Sequence, residues 1–229
     1  MTRVCAIAVL LLSLAVPVRA QVGGTPGSAP LILINMGSSG DKSLTDAGIE
    51  SYITEYFAYL SSKYPQSAIT TTSLLISPVG SFQAIADGNN CGQSFVYQFY
   101  NTTAAIKLHA NVVILRAPSL DDIPCTAAQI TTALQNIYNE LTAAGIIVWV
   151  QTANPVSYPA DSNAPIEQAV TTYILAHFPH TVDMTTGFTN PDYSSNCTYY
   201  TGSGGTCGGI YNAAGNTLAA QRLQAALPY

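Results

Sequence analysis

The sequence has few charged residues: they make up 8% of its 229 residues and give a formal net charge of −5 at pH 7. A nucleic-acid partner would need clustered lysines and arginines to neutralise phosphates, and the chain has only seven of these residues. We therefore expect no nucleic-acid partner. Histidine is also scarce, with three in the chain, so few side chains can accept a proton near neutral pH.

Long apolar runs are confined to the beginning of the chain. Residues 1–20 combine a basic start, an apolar centre and a small-residue ending, a pattern that is typical of a signal peptide. No later run reaches the roughly 18 apolar residues of a membrane span. We expect residues 1–20 to be removed, residues 21–30 to be a flexible leader, and residues 31–229 to form one secreted or periplasmic domain.

Cysteines are few, and no pair of them is spaced as Cys-x-x-Cys. Cys5 lies in the predicted signal peptide, which leaves four cysteines in the mature chain. An even number in an exported protein indicates disulfides, and we predict Cys197 with Cys207 and Cys91 with Cys125. A zinc site is the alternative, but no histidine lies near these cysteines in the sequence. We expect neither a metal nor another cofactor.

Short apolar runs alternate with stretches of helical periodicity from residue 31 onward. Strands are predicted at 31–35, 69–77, 111–115, 146–151 and 181–184. Helices are predicted at 45–63, 95–108, 127–143, 165–178 and 213–227. This alternation implies βαβ units, so we expect an α/β three-layer sandwich with a mostly parallel five-stranded sheet of flavodoxin-like type. In such sheets ligands bind at the edge formed by the carboxyl ends of the strands.

The stretch "NMGSSGDKSLTDAG", residues 35–48, lies at this edge, between the first predicted strand and the first predicted helix. It contains three serines among glycines, Ser38, Ser39 and Ser43. A serine at a strand-to-helix turn can present its hydroxyl for nucleophilic attack. The stretch therefore predicts a nucleophile, and a base must then lie elsewhere in the chain.

Four segments resemble the sequence blocks of the SGNH, or GDSL-type, hydrolases. "LILINMGSSGD" resembles the first block, where a strand leads into Gly-Asp-Ser, and "SPVGSF" resembles the second, whose glycine amide helps to bind an oxyanion. "ELTAAGIIVWVQTANP" is similar to the helix-Gly-strand unit before the last blocks. "GGIYNAAGNTLAAQRLQAAL" is similar to the terminal segment, in which Asp-x-x-His precedes an Asn-x-x-Gly helix start. The resemblance covers most of residues 31–227 and implies an SGNH-type fold.

Carried over residue by residue, the resemblance makes Ser39 the nucleophile and Gly80 a donor to the oxyanion. Ser43 is an alternative nucleophile, because "GDKSLTDAG" is similar to the family's Gly-Asp-Ser-Leu-Thr-Asp with Lys42 inserted. We prefer Ser39 because it lies closer to the end of the strand, where backbone amides can face the reacting carbonyl. Ser43 is better placed to cap the following helix, with Asp46 three residues further on.

The partner positions depart from the family pattern. Alignment of the terminal segment puts Ile210 at the histidine position and Cys207 at the aspartate position. Isoleucine cannot take a proton from serine, whose own pKa is too high for unaided attack at neutral pH. The third block, Gly-x-Asn-Asp in the family, is replaced by residues 116–119, so the asparagine donor of the oxyanion hole is lost as well.

Other polar residues fall near the expected edge. The three histidines, His109, His177 and His180, precede predicted strands and so belong to the opposite, amino edge. Loop aspartates make an Asp-assisted hydrolysis an alternative, although such residues are commonly turn residues. Arg116 follows a buried strand and needs a partner, either a salt bridge or a bound anion. The possible site-lining residues are Ser38, Asp41, Ser43, Arg116, Ser119 and Asn154.

Loss of a general base typically costs about two to four orders of magnitude in rate. We therefore predict a secreted relative of the SGNH-type ester hydrolases with weakened or lost activity. Its predicted substrate is a small-molecule or glycan ester, such as a carbohydrate or lipid ester. The alternative is a non-catalytic extracellular carbohydrate- or ligand-binding protein on the same fold. A matrix or surface structural protein is a third hypothesis, suggested by the low charge. Aromatic residues that offer stacking faces or pack the loops are Phe82, Tyr158, Tyr199, Tyr200 and Tyr211.

Overall fold

A computed structural model of the chain describes residues 31–37, 51–65, 68–75, 101–116, 125–153, 155–203 and 205–229. The strands are β1 (Leu31–Gly37), β2 (Ile69–Leu75), β3 (Val112–Arg116), β4 (Ile147–Gln151), β5 (Thr181–Val182), β6 (Tyr200–Ser203) and β7 (Thr206–Tyr211). The helices are α1 (Tyr52–Lys63), α2 (Ala127–Ala143), α3 (Ala164–His177) and α4 (Ala213–Ala226). Residues 101–107 are also helical.

Within these ranges, five strands form one parallel sheet in the order β2-β1-β3-β4-β5. Leu33 of β1 lies opposite Val112 of β3, which lies opposite Ile147 of β4. Helices α2 and α3 pack on one face of the sheet, and α1 and α4 pack on the other. The predicted three-layer α/β sandwich with a parallel five-stranded sheet is confirmed.

The side chains of β1 alternate between the two faces of the sheet. Ile34 and Met36 are buried against α2 and α3, whereas Leu31 and Leu33 are buried against α1 and α4. Burial on both faces explains why the strands are apolar throughout rather than on alternate residues. Each large aliphatic side chain buried in this way contributes about 1.5–3 kcal/mol to the free energy of unfolding.

The helix ends follow from local sequence signals. Helix α2 has the predicted bounds because Thr126 caps its first turn in a capping box with Gln129, and Gly145 follows its end with φ +80°. Helix α4 begins where the Asn212 side chain accepts a hydrogen bond from the Gly215 amide. Among the described residues, no helix has both the length and the hydropathy needed to cross a membrane.

Strands β1, β4 and β5 differ in length from their predictions, and β4 begins at Ile147 and not at residue 146. Strand β1 continues to Gly37, whereas β5 ends at Val182 and not at Met184. The early end of β5 has a local cause: the Asp183 carboxylate accepts hydrogen bonds from the Thr185 and Thr186 amides and turns the chain.

The antiparallel hairpin of β6 and β7 was not predicted, because glycines interrupt the alternation of side chains that marks a strand. At Gly202 a Cβ atom would lie 2.0 Å from the Thr206 carbonyl oxygen, so the hairpin requires glycine there. The predicted disulfide between Cys197 and Cys207 is present and joins β7 to the loop before β6.

The second predicted disulfide can be followed at one end only. Cys125 is disulfide-bonded. Its predicted partner, Cys91, lies outside the described residues, so the pairing of the two cysteines stays a prediction.

Tyr52, the first residue of α1, joins three elements. Its backbone amide donates to Asn216 Oδ1 in the first turn of α4, at 3.0 Å. Its hydroxyl donates to Gln151 Oε1 at the end of β4, also at 3.0 Å. Because all three residues are buried, these bonds are shielded from water and set the position of α1 over the sheet.

We expect Asn216→Ala to lower the free energy of unfolding by about 1–3 kcal/mol, because a buried donor loses its acceptor. Chemical denaturation measures the change. Asn139→Ala is the matched control. The Asn139 side chain is exposed on α2 and, among the described residues, bonds only Gln135, so its substitution should change the free energy of unfolding by no more than about 0.5 kcal/mol. Equal losses in the two variants would contradict the role given to Asn216.

Candidate active site

The carboxyl ends of β1, β3, β4 and β5 lie at one edge of the sheet, as required by their parallel pairing. Gly37 ends β1, so Ser39 follows this edge two residues later along the chain. Ser39 itself is outside the described residues, and its predicted role as nucleophile stays a prediction. The same holds for six further predicted site residues, Ser38, Asp41, Ser43, Gly80, Ser119 and Asn154.

Arg116 is the last residue of β3 and the charged group that the structure buries at this edge, with 4% of its surface exposed. Its guanidinium carbon lies 5.9 Å from the centre of the Tyr52 ring. A guanidinium over an aromatic face is a favourable cation–π contact, and this contact is stronger away from water. Tyr52 is thus a partner of Arg116 that the sequence analysis missed; the salt bridge or bound anion expected there stays a prediction.

Asn35, Arg116 and Gln151 lie on the same face of the sheet, the one covered by α1 and α4. Arg116 and Gln151 are directly opposite each other in the register of β3 and β4, and Asn35 is opposite Ile114, two residues before Arg116. Their side chains therefore point to the same side. A cluster of buried polar side chains thus lies beneath the carboxyl edge.

Two of these side chains have buried polar atoms that make no hydrogen bond to the described residues. Both amide atoms of Asn35 and the Nε2 atom of Gln151 are buried and make none. Each buried group without a partner costs about 1–3 kcal/mol in stability. Tyr56 and Trp149 carry such atoms elsewhere in the core, so the missing partners alone do not mark a functional site. The sequence held a signal for Asn35 and Gln151, since each is a polar residue near the end of an apolar strand.

Aromatic side chains pack beside this polar cluster. The Tyr211 ring meets those of Tyr52, Tyr200 and Phe188 at centroid distances of 5.8, 5.0 and 5.1 Å. Tyr200 and Tyr211 are buried, and burial raises the pKa of Tyr200 well above its ordinary value. Both tyrosines are core residues that offer no exposed face to a ligand, and Tyr200 stays protonated.

The geometry can be compared with that of known proteins. No family model and no curated protein matches the sequence. An acetyl xylan esterase superposes with a TM-score of 0.60 at 14% identity, over 86% of this chain and 100% of that one. A lipolytic protein of the G-D-S-L family from Veillonella parvula gives 0.59 at 13% identity, over 85% and 97% of the two chains. The chain has the SGNH hydrolase fold.

A third structure agrees with this assignment. A variant of an acetyl-xylooligosaccharide esterase from Geobacillus has a TM-score of 0.57 at 13% identity, over 90% of this chain and 97% of that one. The resemblance predicted from the sequence is therefore confirmed at the level of the fold. Identities this low carry no information on activity.

The two positions that the sequence analysis matched to the SGNH aspartate and histidine, Cys207 and Ile210, lie on β7, and this match stays a prediction. Cys207 is buried and bonded to Cys197, and Ile210 is a half-buried aliphatic side chain. Neither group can take a proton from a serine hydroxyl. On the described part of the chain, these two positions therefore cannot supply the general base and its orienting carboxylate.

The histidines lie at the amino edge of the sheet, as predicted. His109 precedes β3 by three residues, and His180 directly precedes β5 and packs against Trp149. His177 ends α3, where its ring stacks on Tyr173 at 3.9 Å. All three are exposed side chains at the edge opposite the expected site.

Asp183 is the described carboxylate that directly follows a strand at the carboxyl edge. Burial alone would raise the pKa of this carboxyl, but hydrogen bonds from Thr186 and Thr185 and the nearby Arg222 guanidinium outweigh that effect and lower the pKa. A carboxylate with a lowered pKa is a weaker base. Asp183 is thus a turn and ion-pair residue. Across the described residues, no three His, Cys, Asp or Glu side chains meet to form a metal site.

We expect Asp183→Asn to destabilise the protein by about 0.5–1 kcal/mol at pH 7, a modest value because solvent screens side chains that are 32–34% exposed. Since the folded state lowers the pKa, the contribution of the carboxylate is complete above its unfolded pKa of about 3.9 and is lost as the pH falls through the folded value. Thermal unfolding at pH 7 and at pH 3 measures this difference.

Glu140→Gln is the matched control for Asp183→Asn. Glu140 is exposed on α2, and its substitution should leave the unfolding temperature unchanged at both pH values. A loss of stability in Asp183→Asn that persists undiminished at low pH would show that the charge is not the cause.

Proposed function

We propose that the chain is an exported relative of the SGNH ester hydrolases in which hydrolysis is weakened or lost. The observation that carries the proposal is the type of residue at two positions of β7. One of its matched positions is occupied by the disulfide-bonded Cys207 and the other by the aliphatic Ile210. Serine attack without a base is slow at neutral pH, and removal of base assistance costs about two to four orders of magnitude in rate.

Export is supported by the signal-like residues 1–20 and by the disulfide between Cys197 and Cys207, since disulfides persist in oxidising compartments. Esters of neutral sugars are the substrate class that we propose for any remaining activity. Two structural neighbours are acetyl esterases of xylan and xylo-oligosaccharides, and the low-charge chain suits a neutral substrate.

Ser39 is the proposed nucleophile, and the backbone amides near Ser39 and Gly80 are the proposed oxyanion donors. With the amides retained and the base removed, such a site retains the means to stabilise a tetrahedral intermediate but has no group to generate the nucleophile. The expected phenotype is slow acylation, because this step needs the base first.

The purified protein should hydrolyse p-nitrophenyl acetate at least about a hundredfold more slowly than a GDSL-type esterase measured in parallel. Ser39→Ala should remove any rate above buffer, and the matched variant Ser43→Ala should not. Labelling by a fluorophosphonate probe locates the reactive serine by mass spectrometry. A rate equal to that of the reference esterase, or labelling at Ser43, would refute the proposal.

Restoring the missing groups tests whether the scaffold has kept its geometry. Cys207→Asp and Ile210→His, combined with Cys197→Ser to avoid a free thiol, should raise hydrolysis by about 10²–10⁴-fold over the Cys197→Ser/Cys207→Ser control. Addition of Ser39→Ala should abolish the gain. A folded triple variant, judged by circular dichroism, that is no faster than its control would mean that β7 does not face Ser39.

A further inference from the structure

Tyr158 presents an exposed aromatic ring between two surface grooves. The side chain is 40% exposed, although it lies in a segment bridged to β7. One groove, of about 490 Å³, lies toward the hairpin and is lined by Asp161, Thr201 and Thr206. The other, of about 590 Å³, is lined by Asn190, Asp192 and Thr198. Both volumes fall within the range of about 300–1,000 Å³ that is usual for ligand sites.

The backbone around Tyr158 is held from both sides. Its amide donates to the Cys207 carbonyl at 2.6 Å, and the Cys207 amide donates back at 3.3 Å. Two residues earlier, the Val156 carbonyl accepts from the amide and the hydroxyl of Ser195, each at 2.8 Å. The disulfide from Cys207 to Cys197 joins the walls of the two grooves. Because these hydrogen bonds and the disulfide hold the backbone in place before a ligand binds, the protein loses little conformational entropy on binding.

Among the described residues that line the grooves, the charged groups are carboxylates, and none is a lysine, arginine or histidine. Asp161 uses Oδ1 to accept from the Asn163 amide at 2.7 Å. Asp192 uses Oδ1 to accept from the amide and hydroxyl of Ser194, at 3.1 and 2.6 Å. The Oδ2 atom of each carboxylate accepts no hydrogen bond from the described residues. Each groove therefore offers a charged acceptor to a ligand that donates hydrogen bonds.

A ligand for this surface needs a flat apolar face for the ring and hydroxyl donors for the carboxylates, and it must not be an anion. Neutral sugars have this combination, with C–H groups on the faces of the ring and hydroxyls around its rim. We propose that Tyr158 and its two flanking grooves bind a neutral oligosaccharide. One sugar stacks on Tyr158, and hydroxyls of the sugars on either side donate to Asp161 and Asp192.

The inference goes beyond the proposed function and does not depend on it. It shares Cys207, which lines the first groove and is matched to the family's aspartate, but the ligand contacts that it assigns are to Tyr158, Asp161 and Asp192, and its ligands carry no ester. If the hydrolysis experiments contradict the proposed function, the prediction of sugar binding at Tyr158 is unaffected. If no sugar binds, the argument for weakened hydrolysis from the residues of β7 is unaffected.

The test uses the full mature chain from a bacterial periplasm, where disulfides form and Asn196, which lies in an Asn-x-Thr acceptor pattern beside the second groove, is not glycosylated. Isothermal titration calorimetry with xylohexaose, cellohexaose and chitohexaose measures binding. At least one should bind, and Tyr158→Ala should weaken it about tenfold or more, which corresponds to loss of part of an aromatic contact. Tyr158→Phe keeps the ring and should bind within about threefold of the wild type.

Matched controls and rival ligands complete the experiment. Tyr64→Ala removes a half-buried tyrosine at the far end of α1 and should bind as the wild type does. Asp161→Asn and Asp192→Asn should each weaken binding, because a charged acceptor becomes neutral. Polygalacturonate should not bind. The proposal is overturned if no hexasaccharide binds, if Tyr158→Ala binds as well as Tyr64→Ala, or if hexalysine binds while the neutral sugars do not.

Discussion

Tyr52 is the residue on which the arrangement of the carboxyl edge depends. Its amide bonds Asn216 in the last helix, its hydroxyl bonds Gln151 at the end of β4, and its ring lies beneath the Arg116 guanidinium. One residue at the start of α1 thus contacts, through its backbone amide and its side chain, elements that are up to 164 residues away in the chain. Burial makes each contact stronger than it would be in water, and makes the loss of any one of them costly.

The hairpin of β6 and β7 carries the two positions on which the proposed loss of hydrolysis depends. In the SGNH pattern to which the chain is similar, this part of the sequence carries an acid and a base. Here it carries a disulfide and an aliphatic residue, and Gly202 permits the close approach of its two strands. The fold is that of known esterases, and under the proposed function the groups that would activate a serine are replaced by groups that stabilise a hairpin.

The Cys197–Cys207 disulfide belongs both to the argument on hydrolysis and to the argument on the surface around Tyr158. Cys207 occupies a position matched to the catalytic aspartate, and its backbone also holds Tyr158 through two hydrogen bonds. Cys207 is therefore common to the two proposals, the weakened hydrolytic site and the exposed aromatic surface at Tyr158. Because a binding surface needs only position and complementarity, it tolerates the loss of general-base chemistry.

Local patterns were enough to predict the layers of the fold. Apolar runs such as residues 111–115 predicted strands, and Thr126 with Gln129 and Gly145 set the ends of α2, because these signals act within a few residues. The Cys197–Cys207 bond was also predicted, since a short loop brings the two cysteines together. The hairpin was missed because its glycines serve contacts across the strands rather than any local periodicity.

The sequence by itself determined the order along the chain of the helices and of the five strands of the parallel sheet. It also determined that the histidines lie at the amino edge and that positions 207 and 210 carry no proton acceptor. These properties depend on residue type and on short-range spacing. Only the tertiary structure decided which polar groups meet. Asn35, Tyr52, Arg116, Gln151 and Asn216 come from five separate elements, and Tyr158 is placed by a strand 49 residues later. No local pattern carries such contacts, because they arise when packing of the apolar faces brings distant segments together.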